Sequence, residues 1–181
     1  LRARGFSGVE LLSAGPGTPP AIYGELTSPL SGKTGKTATK TVVFYAHYDG
    51  QPVGQKGWTS DPWKPVLRSG TTDLRDLSLE NLQPPIDPEW RIFARSASDD
   101  KAPIVALLTA LDALKASGIA PAVNLKVFLD GEEEQGSPHL AAILAAHADR
   151  LRADLWLLCD GPVHPTRRMQ VYFGARGVTG L

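Results

Sequence analysis

Apolar and polar positions change period several times along the chain. GVELLSA (8–14) and PAIYGELT (20–27) read as strands joined by the Gly/Pro turn GPGTPP. KTVVFYAHYDG (40–50) is a β-branched apolar run that ends in polar residues, the pattern of a buried central strand. From Gln51 to Trp90 periodicity fades among Pro, Gly and Asp, which predicts a long irregular excursion over the surface. DDKAPIVALLTALDALKASG (99–118) spaces its apolar residues for an amphipathic helix that starts at Asp99 or Asp100 and stops at Gly118.

AVNLKVFLD (122–130) is the next strand. SPHLAAILAAHADRL (137–151) is a second helix, with Ser137 as its cap and Pro138 in its first position. ADLWLLCD (153–160) is a third buried strand, and MQVYFGARG (169–177) a fourth at an edge. Strands alternating with helices predict a three-layer α/β/α sandwich around a mostly parallel mixed sheet. In such sheets ligands sit beyond the carboxyl ends of the strands. Those ends here are HYD, DGEEE and CDG, and the first helix opens with SDDK.

Composition narrows the partners. The 181 residues suit one domain of ordinary size, and a formal net charge of zero leaves no basic field to draw nucleic acid. SGKTGKTATK (31–40) reads as a solvated loop. No apolar run reaches the length of a membrane span, and no signal peptide is visible. A single cysteine, Cys159, excludes an internal disulfide framework and a cysteine-based zinc site, and fits a reducing, cytoplasmic compartment. The chain begins at Leu1 and stops at GARGVTGL, so it is expected to be a piece of a longer protein.

Each polar strand end has a bland and a sharp reading. His47 and Asp49 lie two apart, so both can face the same way, as a metal ligand with its supporting acid or as a satisfied histidine. Asp99 and Asp100 either complement a helix dipole or bring a bridging carboxylate. Asp130, Glu132, Glu133 and Glu134 crowd the end of a buried strand, where a divalent cation would relieve their repulsion and one glutamate could act as a general base. Asp160 is a loop-start aspartate or a further ligand. One histidine with several carboxylates suits zinc, or manganese where carboxylates dominate, and two ions sharing a carboxylate would explain the number of acids.

Taken in order, HYD (47–49), SASDDK (96–101), EEQGS (133–137) and Asp160 resemble the dinuclear zinc peptidases and amidases that include glutamate carboxypeptidase, carnosine dipeptidase, aminoacylase and succinyl-diaminopimelate desuccinylase. The resemblance implies a zinc-exopeptidase-like sandwich, incomplete in this chain. It also implies two divalent ions, zinc first and manganese second. His47 and Asp160 would bind one, Glu134 the other, and Asp99 both, with a cis Asp99–Asp100 bond. Asp49 would support His47, and Glu133 would be the general base for amide hydrolysis by a water held between the metals.

GWTSDPW (57–63) is similar to the carnosine-dipeptidase branch, which points to dipeptides or short peptides as substrate, with N-acyl amino acids or a non-catalytic metal-binding fragment as the alternatives. The resemblance divides the chain into 1–176, the first part of a catalytic domain, and 177–181, the start of a missing domain that dimerises the full-length form. On that division this chain alone is weakly active or inactive. Two positions depart from the family pattern: Ser96 and Ala102 stand where glycine is usual.

Overall fold

The computed structural model describes residues 1–30, 40–54, 56–69, 76–77, 79–80 and 82–174. The expected loop 31–40 (apart from Lys40) and the expected start of a further domain at 177–181 lie outside these residues.

Among the described residues, eight strands and two α-helices follow in the order β1 (Ser7–Leu12), β2 (Ala21–Leu26), β3 (Thr41–His47), β4 (Val66–Arg68), β5 (Asp76–Leu77), β6 (Arg91–Phe93), α1 (Lys101–Ala116), β7 (Asn124–Asp130), α2 (Leu140–Ala146) and β8 (Leu155–Leu158). The main sheet has the order β1-β2-β7-β3-β8. β1 pairs antiparallel with β2 and β2 with β7, whereas β3 lies parallel to both β7 and β8. The mixed α/β architecture expected from the pattern is therefore present, with its parallel part at the centre and far edge. Gly8 has φ +55 where the β1–β2 register shifts, so a residue without Cβ takes the bulge.

Alternation along the central strands supplies two cores, one on each face. Val43 and Tyr45 of β3 and Phe128 of β7 join Ile143 of α2 on one side. Phe44 and Ala46 with Leu125, Val127 and Leu129 meet Ile104, Leu107 and Leu111 of α1 on the other. Those three α1 residues are spaced one turn apart, as an amphipathic helix requires. Phe128 is fully buried. Its ring stacks on Tyr45 at 6.2 Å between centroids and meets Trp156 at 6.0 Å.

Register then gathers the polar ends. His47 lies opposite Asp130 across the parallel β3–β7 pair. Tyr45 lies opposite Leu158 on β8, and the Cys159 amide donates to the Tyr45 carbonyl at 3.0 Å, so Asp160 emerges beside His47.

Five expectations change. β8, expected as a buried strand, is the edge of the main sheet and pairs only with β3 among the described strands, so Leu155, Leu157 and Leu158 are exposed. The 51–90 excursion is not wholly irregular: β4 and β5, with β6 immediately after it, form a small antiparallel sheet. Its strands are too short to show periodicity, and it is pinned by Arg68, which binds Asp76 at 2.8 Å and lies 4.9 Å over the Phe93 ring. Helix α2 starts at Leu140 rather than Ser137, because Ser137 has φ +49 and its hydroxyl serves Asp130 instead of capping. Asp100 occupies the cap position of α1 but makes no side-chain cap bond. Residues 169–174 form no strand, and 175–177 lie outside the described residues. Gly118, at φ +68, ends α1 as expected.

Phe128→Ala empties the contact point of three rings. It is expected to lower stability by about 3–5 kcal/mol, read as a shift in the urea midpoint.

Candidate metal centre

The site is built around one imidazole. His47 ends β3, and its side chain is wholly shielded from solvent. Its Nδ1 lies 3.0 Å from Asp49 Oδ1, and its Nε2 lies 2.9 Å from Asp99 Oδ1. Nε2 is also 3.7 Å from both Glu133 Oε2 and Asp160 Oδ2. Four connections thus meet at a single ring: the ends of β3, β7 and β8 and the turn before α1. The six residues picked out by the sequence, His47, Asp49, Asp99, Glu133, Glu134 and Asp160, all lie in this neighbourhood.

Three of the acids, Asp49, Glu134 and Asp100, are held from behind. The amide of Glu134 donates to Asp49 Oδ2 at 3.1 Å, so Asp49 ties His47 to the Glu133–Gln135 turn. Gln51 donates to Glu134 from its amide at 3.2 Å and from its side chain at 2.5 Å. Asp100 faces inward, and its Oδ2 accepts the His47 amide at 3.1 Å. The Asp99–Asp100 bond is cis. Gln51 and Asp100 were not identified from sequence as part of the site. Gln51 follows HYD without a motif of its own, and Asp100 looked like a cap.

The electrostatics are lopsided. Two carboxylates ~4 Å apart repel by about 4 kcal/mol at an effective dielectric of roughly 20. Burial, then the Asp160 charge, pushes the Glu133 carboxyl above its usual range. Burial likewise raises Asp160, and it lifts Asp100 to about 6. At His47 burial opposes the imidazolium, but Asp160, Asp49 and Asp100 outweigh it and raise its pKa. At the three acids the shift is first a matter of burial, and at His47 it is the surrounding carboxylates that decide the direction.

The donor set answers that imbalance. His47, Asp100 and Asp160 form one group, and His47, Asp99 and Glu134 another, each with donor atoms within 4.8 Å of one another. Imidazole with carboxylates is a donor set for divalent zinc or manganese. The residues present therefore fit such ions.

Ser96 shows how one departure from the family pattern is accommodated. It has φ +60, the left-handed conformation that glycine adopts freely, and its hydroxyl donates to the Asp49 carbonyl at 3.2 Å. A Cβ on Gly50 would stand 1.9 Å from that hydroxyl oxygen, so the close approach needs glycine at 50. Ala102, the other departure, lies in the first turn of α1, where alanine is a good helix former.

Comparison with known proteins gives the family. The model of the peptidase family M20/M25/M40 matches residues 43–173, and the chain belongs to that family. It is 32% identical to the Cys-Gly metallodipeptidase of Schizosaccharomyces pombe over 142 residues, covering 77% of this chain and 26% of the relative. It is 33% identical to a succinyl-diaminopimelate desuccinylase of Verminephrobacter eiseniae over 100 residues, covering 55% of this chain and 20% of the relative. Human carnosine dipeptidase 1 superposes with a TM-score of 0.64 at 27% identity, covering 88% of this chain and 30% of that one. The chain thus spans a third or less of the length of these relatives. Family membership implies divalent-metal binding.

Two outcomes follow. Zinc at a hundredfold excess over its dissociation constant should stabilise the fold by about 2.7 kcal/mol, seen as a higher Tm that EDTA reverses. Ser96→Gly relieves about 1–2 kcal/mol of left-handed cost while losing a bond of about 1 kcal/mol, so its stability should stay within about 1 kcal/mol of the parent. Ser96→Ala loses the bond and keeps the cost, and should unfold at lower urea than Ser96→Gly.

Proposed function

We propose that this chain is the first part of the catalytic domain of a metal-dependent dipeptidase that hydrolyses the amide bond of dipeptides or short peptides. The observation that carries the reading is the convergence of Asp99, Glu133 and Asp160 within 3.7 Å of His47 Nε2. Similarity to proteins named as a Cys-Gly metallodipeptidase and a carnosine dipeptidase supports the substrate class. On this reading residues 1–176 belong to the catalytic domain and 177–181 begin a further domain through which the longer protein dimerises. The single cysteine supports a cytoplasmic place for it.

His47 and Asp160 would hold one divalent ion, Glu134 the other, and Asp99 both, with zinc as the first candidate and manganese the second. Two such ions, when bound, supply Lewis-acid polarisation of the scissile carbonyl and a water acidic enough to ionise near neutral pH. Asp49, against His47 Nδ1, fixes the ring's orientation and leaves Nε2 facing the site. Glu133 takes the proton of the attacking water and returns it to the departing amine nitrogen. Its side chain is 36% exposed, enough to reach substrate while most of its surface is shielded. Gln51 donates to the Glu134 carboxylate and so fixes its direction.

The second reading is an N-acyl amino acid deacylase of the same family, favoured by the similarity to the desuccinylase. It uses the same residues on a different acyl group.

The test uses the longest natural chain that contains these residues. Glu133→Gln should keep zinc stoichiometry and lower kcat by about 10²–10⁴-fold. Turnover at the parental rate would show that the base has been misassigned. A panel of Cys-Gly, β-Ala-His and N-succinyl amino acids separates the two readings. Preference for the succinyl compounds would replace the dipeptidase reading with the deacylase one.

A further inference from the structure

We propose that Asp130 and Glu132, two buried carboxylates with no part in the chemistry above, are positioning residues that clamp the Glu133–Gln135 turn and so aim Glu133 and Glu134 into the site. The inference rests on the roles proposed above for those two glutamates.

The five positions from 130 to 134 hold four acids with opposite fates. Asp130 is 3% exposed and Glu132 is 4% exposed, whereas the Glu133 and Glu134 side chains reach the open part of the site. A buried carboxylate is costly unless its oxygens are hydrogen-bonded, and both of these are. Asp130 Oδ1 accepts the Glu132 amide at 3.0 Å. Its Oδ2 accepts the Ser137 hydroxyl at 2.6 Å and the Tyr45 hydroxyl at 3.3 Å. Asp130 therefore grips the loop at its start, at its end and against β3.

Glu132 completes the clamp. Its carboxylate receives the His139 amide at 3.3 Å, and both of its oxygens lie 2.9 Å from His139 Nδ1. Its own carbonyl accepts the amides of Gln135 at 3.0 Å and Ser137 at 2.9 Å. The loop is thus tied to β3 through Asp130 and to the start of α2 through Glu132.

Left-handed Gly136 (φ +82) and Ser137 (φ +49) turn the chain back so that both ends can be held. Gly131 admits no side chain, since a Cβ there would come within 2.5 Å of the Tyr48 hydroxyl and 2.8 Å of the Pro20 carbonyl. With its frame set, the turn has little freedom in where Glu133 and Glu134 point. Charge alone does not account for the pattern, because solvated acids would not be buried with every carboxylate oxygen in use.

Two readouts on the longest natural chain test the clamp. Amide hydrogen exchange at Gln135 and Ser137 reads the order of the turn without reference to metal. Calorimetric titration of the metal-free protein with cobalt(II) reads the site. Glu132→Ala and His139→Ala should speed exchange at Gln135 and Ser137 by about tenfold while leaving the β3 and β7 amides unchanged. Both should weaken cobalt binding by about 10–100-fold, the effect expected of residues that orient ligands from behind. Glu132→Gln keeps an oxygen for the His139 amide and should recover most of both effects.

His139 has a partly exposed side chain, so its variant stays informative even if Glu132→Ala fails to fold. Parental exchange at Gln135 and Ser137 in His139→Ala would overturn the proposal. So would parental cobalt affinity in a folded Ala variant whose only change is a lower Tm. A parent protein that binds no cobalt overturns the metal reading of the site instead, and the exchange arm then decides the clamp by itself. Persistent turnover in Glu133→Gln overturns the base assignment and leaves both arms intact.

Discussion

Crowded negative charge around one buried imidazole is the constraint on which the rest of the structure depends. Asp99, Glu133 and Asp160 approach Nε2 of His47, while Asp49 takes Nδ1 and Asp100 takes the backbone amide. Gathering several carboxylates round one ring is electrostatically unfavourable, because like charges repel. The arrangement persists because backbone elements that are stable for other reasons deliver the acids there. A divalent cation then turns the mutual repulsion into shared attraction.

Delivery depends on parallel register. β3, β7 and β8 are bound side by side with their carboxyl ends together, so His47, Asp130 and Asp160 emerge along one edge. The apolar residues behind them hold that edge still. Phe128, Tyr45 and Val43 pack against α2, while Val127, Leu129 and Ala46 pack against α1. One strand therefore serves both cores through alternate residues and ends in polar residues that serve the site.

Around that edge, short polar links govern direction rather than stability. Asp49 joins the His47 ring to the Glu134 amide, Gln51 holds the Glu134 carboxylate, and Ser96 ties the turn before α1 to the Asp49 carbonyl. Their bonds connect separate loops, so the loops keep a common geometry even though each is short and irregular.

Much of this was legible in the chain itself, because hydrophobic period is a local property. The runs 40–50, 122–130 and 153–160 marked the three parallel strands, though the last lies at the sheet edge rather than buried, and the ligand-type residues stood at their ends where α/β sheets bind ligands. Fates within the acidic cluster were not legible locally. The family resemblance gave roles to Glu133 and Glu134 and none to Asp130 and Glu132, but the burial of that second pair depends on Ser137, Tyr45 and His139 arriving from other elements. The small sheet of β4–β6 was hidden for a related reason: two- and three-residue strands have no period, and a buried Arg68 rather than an apolar stripe holds them. Residue type and spacing thus determined which chemistry the chain can carry. Which acid faces the site, which braces it from behind, and where α2 begins were decided by hydrogen bonds between residues far apart in sequence, which form only once the strands have paired.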